Sequence, residues 1–275
     1  MILSGSAKIA GVIGWPVGHS RSPRLHGFWL DRYKVDGAYI PLPVSLDGFP
    51  EALAGLAAAG FRGVNVTVPH KEQAFEACSS LDEHARRIGA VNTIVFSEDG
   101  IHGSNTDAFG FMQNIRHNAD WRGGISVVLG AGGAARAICV ALIDAGSTEI
   151  RLVNRTRSRA ETLAKEFGPI ISVYEWKDRS DTLLGASLLV NSTTLGMTGQ
   201  DALKIGLDAL PPNAIVNDIV YAPLETKLLA RARARGNPVV DGLGMLLHQA
   251  RPGFEAWFGV QPEVTDALRQ FVLES

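Results

Sequence analysis

The segment Gly130-Ala131-Gly132-Gly133-Ala134-Ala135-Arg136 directly follows an apolar strand and opens a helix, the context in which a glycine-rich turn holds a dinucleotide. Gly130 allows the tight turn, Gly132 lets a pyrophosphate approach the backbone, and Ala135 permits close packing of helix on strand. The free amides at the helix start supply an anion site. A turn that merely joins strand to helix is the bland alternative, and the next strand weighs against it. That strand ends in Asn154-Arg155-Thr156-Arg157-Ser158-Arg159, with no Asp or Glu for ribose hydroxyls. A carboxylate there would repel a ribose phosphate, whereas guanidinium groups and a hydroxyl bind one. The cofactor expected is NADP rather than NAD, with Arg155, Thr156 and Arg159 around its 2′-phosphate.

A second polar constellation lies in the first hundred residues. In Asn65-Val66-Thr67-Val68-Pro69-His70-Lys71 polar and apolar side chains alternate, so Asn65 and Thr67 share one face of a strand and Lys71 follows at its end. Ala90-Val91-Asn92-Thr93 and Gly103-Ser104-Asn105-Thr106-Asp107 add small polar residues at strand or loop ends, and together these runs outline a polar pocket. Near the N-terminus, Gly14-Trp15-Pro16-Val17-Gly18-His19-Ser20-Arg21-Ser22-Pro23 places two hydroxyls at a strand-to-helix turn. Such a turn suits a carboxylate, although capping a helix is the ordinary use of either serine.

The elements that must position these residues alternate between strand and helix. Strands are expected over Lys8–Ile13, Ala38–Val44, Gly63–Val68, Val91–Phe96, Ile125–Leu129 and Ile150–Val153, and near Leu188 and Ile215. Helices are expected from Pro23, over Glu51–Ala59, Lys71–Cys78, Asp82–Ile88, Ala134–Ala145 and Arg157–Phe167, and after Asp107. Two more, Met245–Phe258 and Glu263–Leu273, close the chain without a strand between them. This order predicts an α/β protein of two domains with a cleft between them. The first is an α/β domain built on a mostly parallel sheet, and the second is a Rossmann-type doubly wound domain that binds NADP.

A chain of 275 residues fits two domains, and 46% hydrophobic with 20% charged residues describes an ordinary folded protein. The net charge of −2 offers no basic surface for a nucleic-acid backbone. The Arg231–Arg235 stretch reads as a solvated helix face. Cys78 and Cys139 stand apart, as buried thiols rather than zinc ligands, and no His-Glu-x-x-His run exists, so no metal is expected. No leader-like N-terminus and no apolar stretch of membrane-spanning length is present, which predicts a cytoplasmic protein without membrane contact. A monomer or simple homodimer is the expected assembly.

The motifs, in this order, resemble shikimate dehydrogenase. The serine turn, the Asn-Val-Thr-Val-Pro-x-Lys run, the Ala-Val-Asn-Thr run and the Asn-Thr-Asp run are followed by the Gly130–Ala134 loop and Asn154-Arg155-Thr156. Asn191-Ser192-Thr193, Asp241-Gly242-Leu243-Gly244-Met245 and Gln249 complete the resemblance, which spans nearly the whole chain. It implies that Ser20 and Ser22, with Tyr221, bind a substrate carboxylate. It implies that Asn65, Thr67, Asn92, Asp107 and Gln249 surround ring hydroxyls, that Lys71 and Asp107 are the catalytic pair, and that Gly242 lies near the nicotinamide. The final helices would return to the first domain, giving a substrate domain of residues 1–107 and 242–275 and an NADP domain of 108–241.

The implied reaction is reversible reduction of 3-dehydroshikimate to shikimate by NADPH, a step of aromatic amino acid biosynthesis. Hydride goes to carbon and a proton to oxygen. Lys71 serves that oxygen either as proton exchanger or as a fixed positive charge, and Asp107 orients it. Quinate-using relatives share most of these motifs, and a noncatalytic NADP-responsive regulator would need only the glycine loop. The sequence departs from the family at Gly27, where Asn is usual after His26.

Overall fold

Short β-branched and aliphatic runs alternate with Ala- and Leu-rich ones, and the computed structural model, which describes residues 2–274, forms its elements in that order. The first ten are β1 (Lys8–Gly14), α1 (Ser22–Arg32), β2 (Gly37–Pro43), α2 (Phe49–Ala58), β3 (Gly63–Val66), α3 (Lys71–Ala77), β4 (Ser80–Leu81), α4 (Glu83–Ile88), β5 (Thr93–Ser97) and β6 (Gly100–Ser104). They build a six-stranded sheet in the order β2-β1-β3-β5-β6-β4. β1 pairs in parallel with β2 and β3, whereas β5 runs antiparallel to both β3 and β6, so the sheet is mixed. The antiparallel part arises because β5 and β6 are joined by a tight hairpin, Ser97 opposite Gly100, which leaves no room for a crossover helix.

Period-two alternation divides the β3 side chains between two cores. Val64 and Val66 join Ile13, Phe49, Leu53 and Ile94 on one face. On the other, α1 and α9 (Leu243–Phe258) bring aromatic rings together, Trp29, Phe254, Trp257 and Phe258 around His26 and Tyr39, and α10 (Asp266–Leu273) sets Phe271 against Phe28 of α1. Trp257 also donates its indole N–H to the Ile94 carbonyl at 2.9 Å. Burying rings of this size contributes about 2–3 kcal/mol each.

The chain between these parts forms α5 (Asp107–Asn118), β7 (Gly124–Leu129), α6 (Gly133–Asp144), β8 (Ser147–Asn154), α7 (Arg157–Phe167), β9 (Ile171–Glu175), β10 (Leu188–Asn191), β11 (Ile215–Asp218), α8 (Lys227–Ala234) and β12 (Val239–Val240). Its sheet has the order β12-β11-β10-β7-β8-β9 and every pairing is parallel. The chain winds outward from β7 to β9, then crosses to β10 on the other side of β7, so the turn after β7 lies at the topological switch point. Backbone contacts separate two units, Met1–Thr106 with Leu247–Ser275, and Asp107–Leu246. These junctions place Asp107 and residues 242–246 with the second unit.

Some elements differ from expectation. β3 stops at Val66, and Pro69, which has no amide hydrogen, bars its extension. α10 starts at Asp266 rather than Glu263, because the Thr265 hydroxyl accepts from the Leu268 amide and caps the helix there. Cys139 is buried as expected, but Cys78 is only half-buried. Among the described residues no helix is long and apolar enough to cross a membrane, and no group of three His, Cys, Asp or Glu side chains gathers to hold a metal ion.

Candidate active site

Backbone hydrogen bonds draw the polar segments of the first unit together. The Trp15 amide donates to the Val68 carbonyl at 3.2 Å, which ties the serine turn to the chain leaving β3. Lys71 opens α3, and its carbonyl accepts from the Val91 amide at 3.0 Å, so the lysine backbone is pinned next to Asn92. His70, fully buried, stacks on Phe49 and places its Nε2 2.8 Å from the Val44 carbonyl. It is an anchor for Lys71.

Side chains continue the network. Asn65 is buried, and its amide nitrogen donates to the Asn92 carbonyl and to Thr93 Oγ1, both at 3.1 Å, while Oδ1 accepts from the Tyr39 hydroxyl at 2.6 Å. Asn92 Oδ1 accepts from the Thr93 hydroxyl at 3.0 Å and from the Thr106 amide and hydroxyl at 2.9 and 3.2 Å. Gln249, carried by α9, brings Oε1 to 3.5 Å from both Asn92 Nδ2 and Thr106 Oγ1. Asn65, Asn92 and Gln249, up to 184 residues apart in numbering (249 − 65), thus share one network, buried at the two asparagines and half-buried at Gln249. Thr67 lies just past β3, half-buried. Ser20 Oγ accepts from the Ser22 amide at 3.3 Å, so it serves the helix start, whereas Ser22 makes no capping bond and lies buried at the first position of α1.

The second unit holds the remaining residues. Asp107 is the buried first residue of α5, and Tyr221 is half-buried just beyond β11. Gly242 is required by close approach: a Cβ there would lie 2.1 Å from the Ile219 carbonyl oxygen. Gly130 has φ +109°, and a Cβ would meet Ser192 Oγ at 2.7 Å. Ala131 is buried, Gly132 caps α6 in an extended conformation, and a Cβ on Gly132 or Gly133 would touch nothing within 4 Å. The backbone at those two glycines is open to close approach, and a helix start of this kind suits a pyrophosphate.

At the end of β8, Asn154 Nδ2 donates to the Thr156 carbonyl at 2.8 Å and shapes the turn into α7. Thr156 is the N-cap residue but its hydroxyl makes no capping bond. Arg157 is held by Glu161 and Glu175, each at 2.7 Å, which removes it from phosphate binding. Arg155 and Arg159 are exposed and, among the described residues, have no ion-pair partner. The chemistry of this donor set, two unpaired guanidinium groups and one hydroxyl with no carboxylate of their own, fits a ribose phosphate.

Residues 12–94 match the family model of the shikimate dehydrogenase substrate binding domain, 115–197 that of shikimate / quinate 5-dehydrogenase, and 242–270 that of the shikimate 5′-dehydrogenase C-terminal domain. The shikimate dehydrogenase (NADP(+)) of Rhodospirillum rubrum is 60% identical, covering 99% of both chains. That of Paramagnetospirillum magneticum is 58% identical over 98% of this chain and 100% of its own. The chain belongs to the shikimate dehydrogenase family. The family's fold is shared with a Thermus thermophilus shikimate 5-dehydrogenase solved with NADP(H) and shikimate, at 36% identity, TM-score 0.88, and 97% and 99% coverage of the two chains. It is shared as well with a Corynebacterium glutamicum quinate dehydrogenase solved with NAD, at 28% identity, TM-score 0.90, and 98% and 99% coverage. One fold therefore carries different substrates and cofactors, and the choice lies in side chains.

Within this shikimate dehydrogenase family member, sequence reading passed over three residues of the network. Thr93 and Thr106 sat inside runs already singled out, as neighbours of Asn92 and Asp107. Tyr39 gave no local signal, since its partner Asn65 is 26 residues away. A fourth residue, Asp218, ends β11 and is buried. Desolvation raises its pKa from 3.8 to about 6, against the Thr226 hydroxyl, the Val220 amide and Asn191 Nδ2, which all donate to it. A carboxyl that keeps its proton to higher pH in the folded state gives stability that is complete below about pH 4 and is lost as pH rises through about 6. Asp218→Asn abolishes that titration. Urea unfolding should show the wild type losing up to about 3 kcal/mol relative to the variant between pH 4 and 7; a constant difference would refute the assignment.

Proposed function

We propose that this protein is an NADP-dependent shikimate dehydrogenase that reduces 3-dehydroshikimate to shikimate and runs the reverse oxidation. One observation carries the reading: a single chain holds both a polar network running from buried Asn92 to half-buried Gln249 and an open glycine loop, with Arg155 and Arg159 nearby in sequence order lacking ion-pair partners among the described residues. In this reading Ser20, Ser22 and Tyr221 bind the substrate carboxylate, and Asn65, Thr67, Asn92, Asp107 and Gln249 surround the ring hydroxyls. Gly130, Ala131, Gly132, Gly133 and Ala134 hold the pyrophosphate, Asn154 shapes the turn in which Arg155, Thr156 and Arg159 hold the 2′-phosphate, and Gly242 lies near the nicotinamide.

Bound NADPH supplies the hydride. The protein manages the accompanying proton: Lys71 Nζ gives it to the ketone oxygen during reduction and takes it from the alcohol during oxidation, and Asp107 orients both the amine and that hydroxyl. The unit built from the N-terminal segment and the closing helices is the substrate domain, and the contiguous unit is the cofactor domain. The reading includes a cytoplasmic location and a homodimer as its largest assembly, which sedimentation would test.

Absorbance at the NADPH band, with shikimate or quinate and with NADP or NAD, tests the reading. Shikimate with NADP should give the highest kcat/KM, by about tenfold or more over either exchange, the scale on which one unmatched polar contact discriminates. Equal values for quinate would make this a broader quinate/shikimate enzyme. Absence of NADPH formation across several pH values would favour a noncatalytic NADP-binding protein.

A further inference from the structure

The run Asn191-Ser192-Thr193 has no part in that chemistry. Asn191 ends β10 and Asp218 ends β11, and the two stand side by side in the register of these parallel strands, both fully buried. Asn191 Nδ2 donates to Asp218 Oδ1 and to the Leu195 carbonyl, each at 3.0 Å, while its Oδ1 accepts from the Thr193 amide and hydroxyl at 3.1 and 2.7 Å. Asp218 takes two further donors, the Val220 amide at 3.1 Å and the Thr226 hydroxyl at 2.7 Å. One amide and one carboxyl group thus fasten the chain leaving β10 to the chain leaving β11. An apolar pair would fill the strand ends without polar atoms to desolvate, but it could not hold two loops by their backbone groups.

Both loops lie against glycines of the candidate cofactor site. Ser192 donates to the Leu129 carbonyl from its amide at 2.9 Å and from its hydroxyl at 2.7 Å, so it sits on the residue before Gly130, where a Cβ would strike it. On the other side, the Ile219 amide donates to the Asn191 carbonyl at 3.0 Å. The Ile219 and Val220 carbonyl oxygens are in turn what a Cβ on Gly242 would meet, at 2.1 and 2.7 Å. A continuous path of contacts therefore runs from Gly130 through Ser192, Asn191, Asp218 and Val220 to Gly242. It joins the turn read as holding the pyrophosphate to the glycine read as lying near the nicotinamide.

We infer that Asn191 and Asp218 are positioning residues for the cofactor: as a pair they fix the distance between the pyrophosphate turn and the backbone around Gly242, so that the dinucleotide meets a preformed site. This rests on the reading of the glycine turn and Gly242 as NADP contacts, and the test separates the two. Calorimetric titration of the full chain compares NADP with adenosine 2′,5′-bisphosphate, which carries the 2′-phosphate but neither the pyrophosphate bridge nor the nicotinamide. Asn191→Ala should weaken NADP about tenfold or more, the scale of one lost hydrogen bond to a charged group, and adenosine 2′,5′-bisphosphate less than about twofold. Asp218→Asn keeps an oxygen for Asn191 and Val220 and turns its amide to the Thr226 oxygen, so it should retain most of the NADP affinity that Asp218→Ala loses.

Equal weakening of both probes in Asn191→Ala would make the pair a support of the fold alone and overturn the positioning role, as would wild-type affinity for NADP in that variant. Equal losses in the two Asp218 variants count against it in the same way. If the wild-type chain does not bind NADP, the cofactor reading itself falls and takes the inference with it. Should Asn191→Ala fold poorly, hydrogen exchange on the wild-type chain decides. The Thr193, Ile219 and Val220 amides, which donate to this pair, should be protected before NADP is added. Protection that appears only with NADP would show that the site is not preformed and end the proposal.

Discussion

Lys71→Ala lowers kcat by about a thousandfold, within the range of general acid–base catalysis, while the KM values for shikimate and NADP change less than about threefold. The expectation follows from how the residue is held. Its backbone position depends on the Val91 amide and on buried His70, neither of which involves the amine, and alanine is at home in the first turn of a helix. In the proposed reading the substitution removes proton delivery and leaves these backbone anchors in place. Stopped-flow measurement of NADPH formation would separate chemistry from product release. A variant retaining more than about a tenth of the wild-type rate would end the assignment of Lys71 as the proton carrier.

Replacing Arg155 and Thr156 together by alanine lowers kcat/KM with NADP by about a hundredfold or more and leaves kcat/KM with NAD within about threefold, because charge-assisted hydrogen bonds contribute about 1.5–3 kcal/mol each. Both side chains are uncommitted in the protein itself: Arg155 is exposed, and the Thr156 hydroxyl caps nothing. Arg157→Ala is the internal control. Its guanidinium is occupied by Glu161 and Glu175, so its loss should leave cofactor preference unchanged. A parallel decline with both cofactors in the double variant would show that the turn supports the fold rather than reads a phosphate.

What the sequence made legible was local. The glycine loop stands between an apolar strand and an alanine-rich helix, and the basic turn after β8 follows 24 residues later (154 − 130), so motif and context agree. Arg157 shows where this stops, since its orientation depends on Glu175 across the sheet. β12 has two residues and β9 alternates with half-buried polar groups, too little for periodicity to register. The polar network was legible only as a set of separate runs. Its junctions, Tyr39 to Asn65 and Asn92 to Gln249, are contacts made by folding, as is the burial that raises Asp218.

The indole of Trp257 reaches the Ile94 carbonyl across 163 residues, and the rings around His26 include Phe254. Phe254 and Trp257 follow the whole of the contiguous unit in chain order. The contiguous unit can therefore complete its sheet during translation, while the N-terminal strands wait with one aromatic face uncovered until those rings emerge. A transcript cut short before Leu247 would yield a polypeptide able to assemble the glycine loop yet lacking Gln249 and the rings that shield Tyr39, a product with a nucleotide-binding half and no finished place for a substrate.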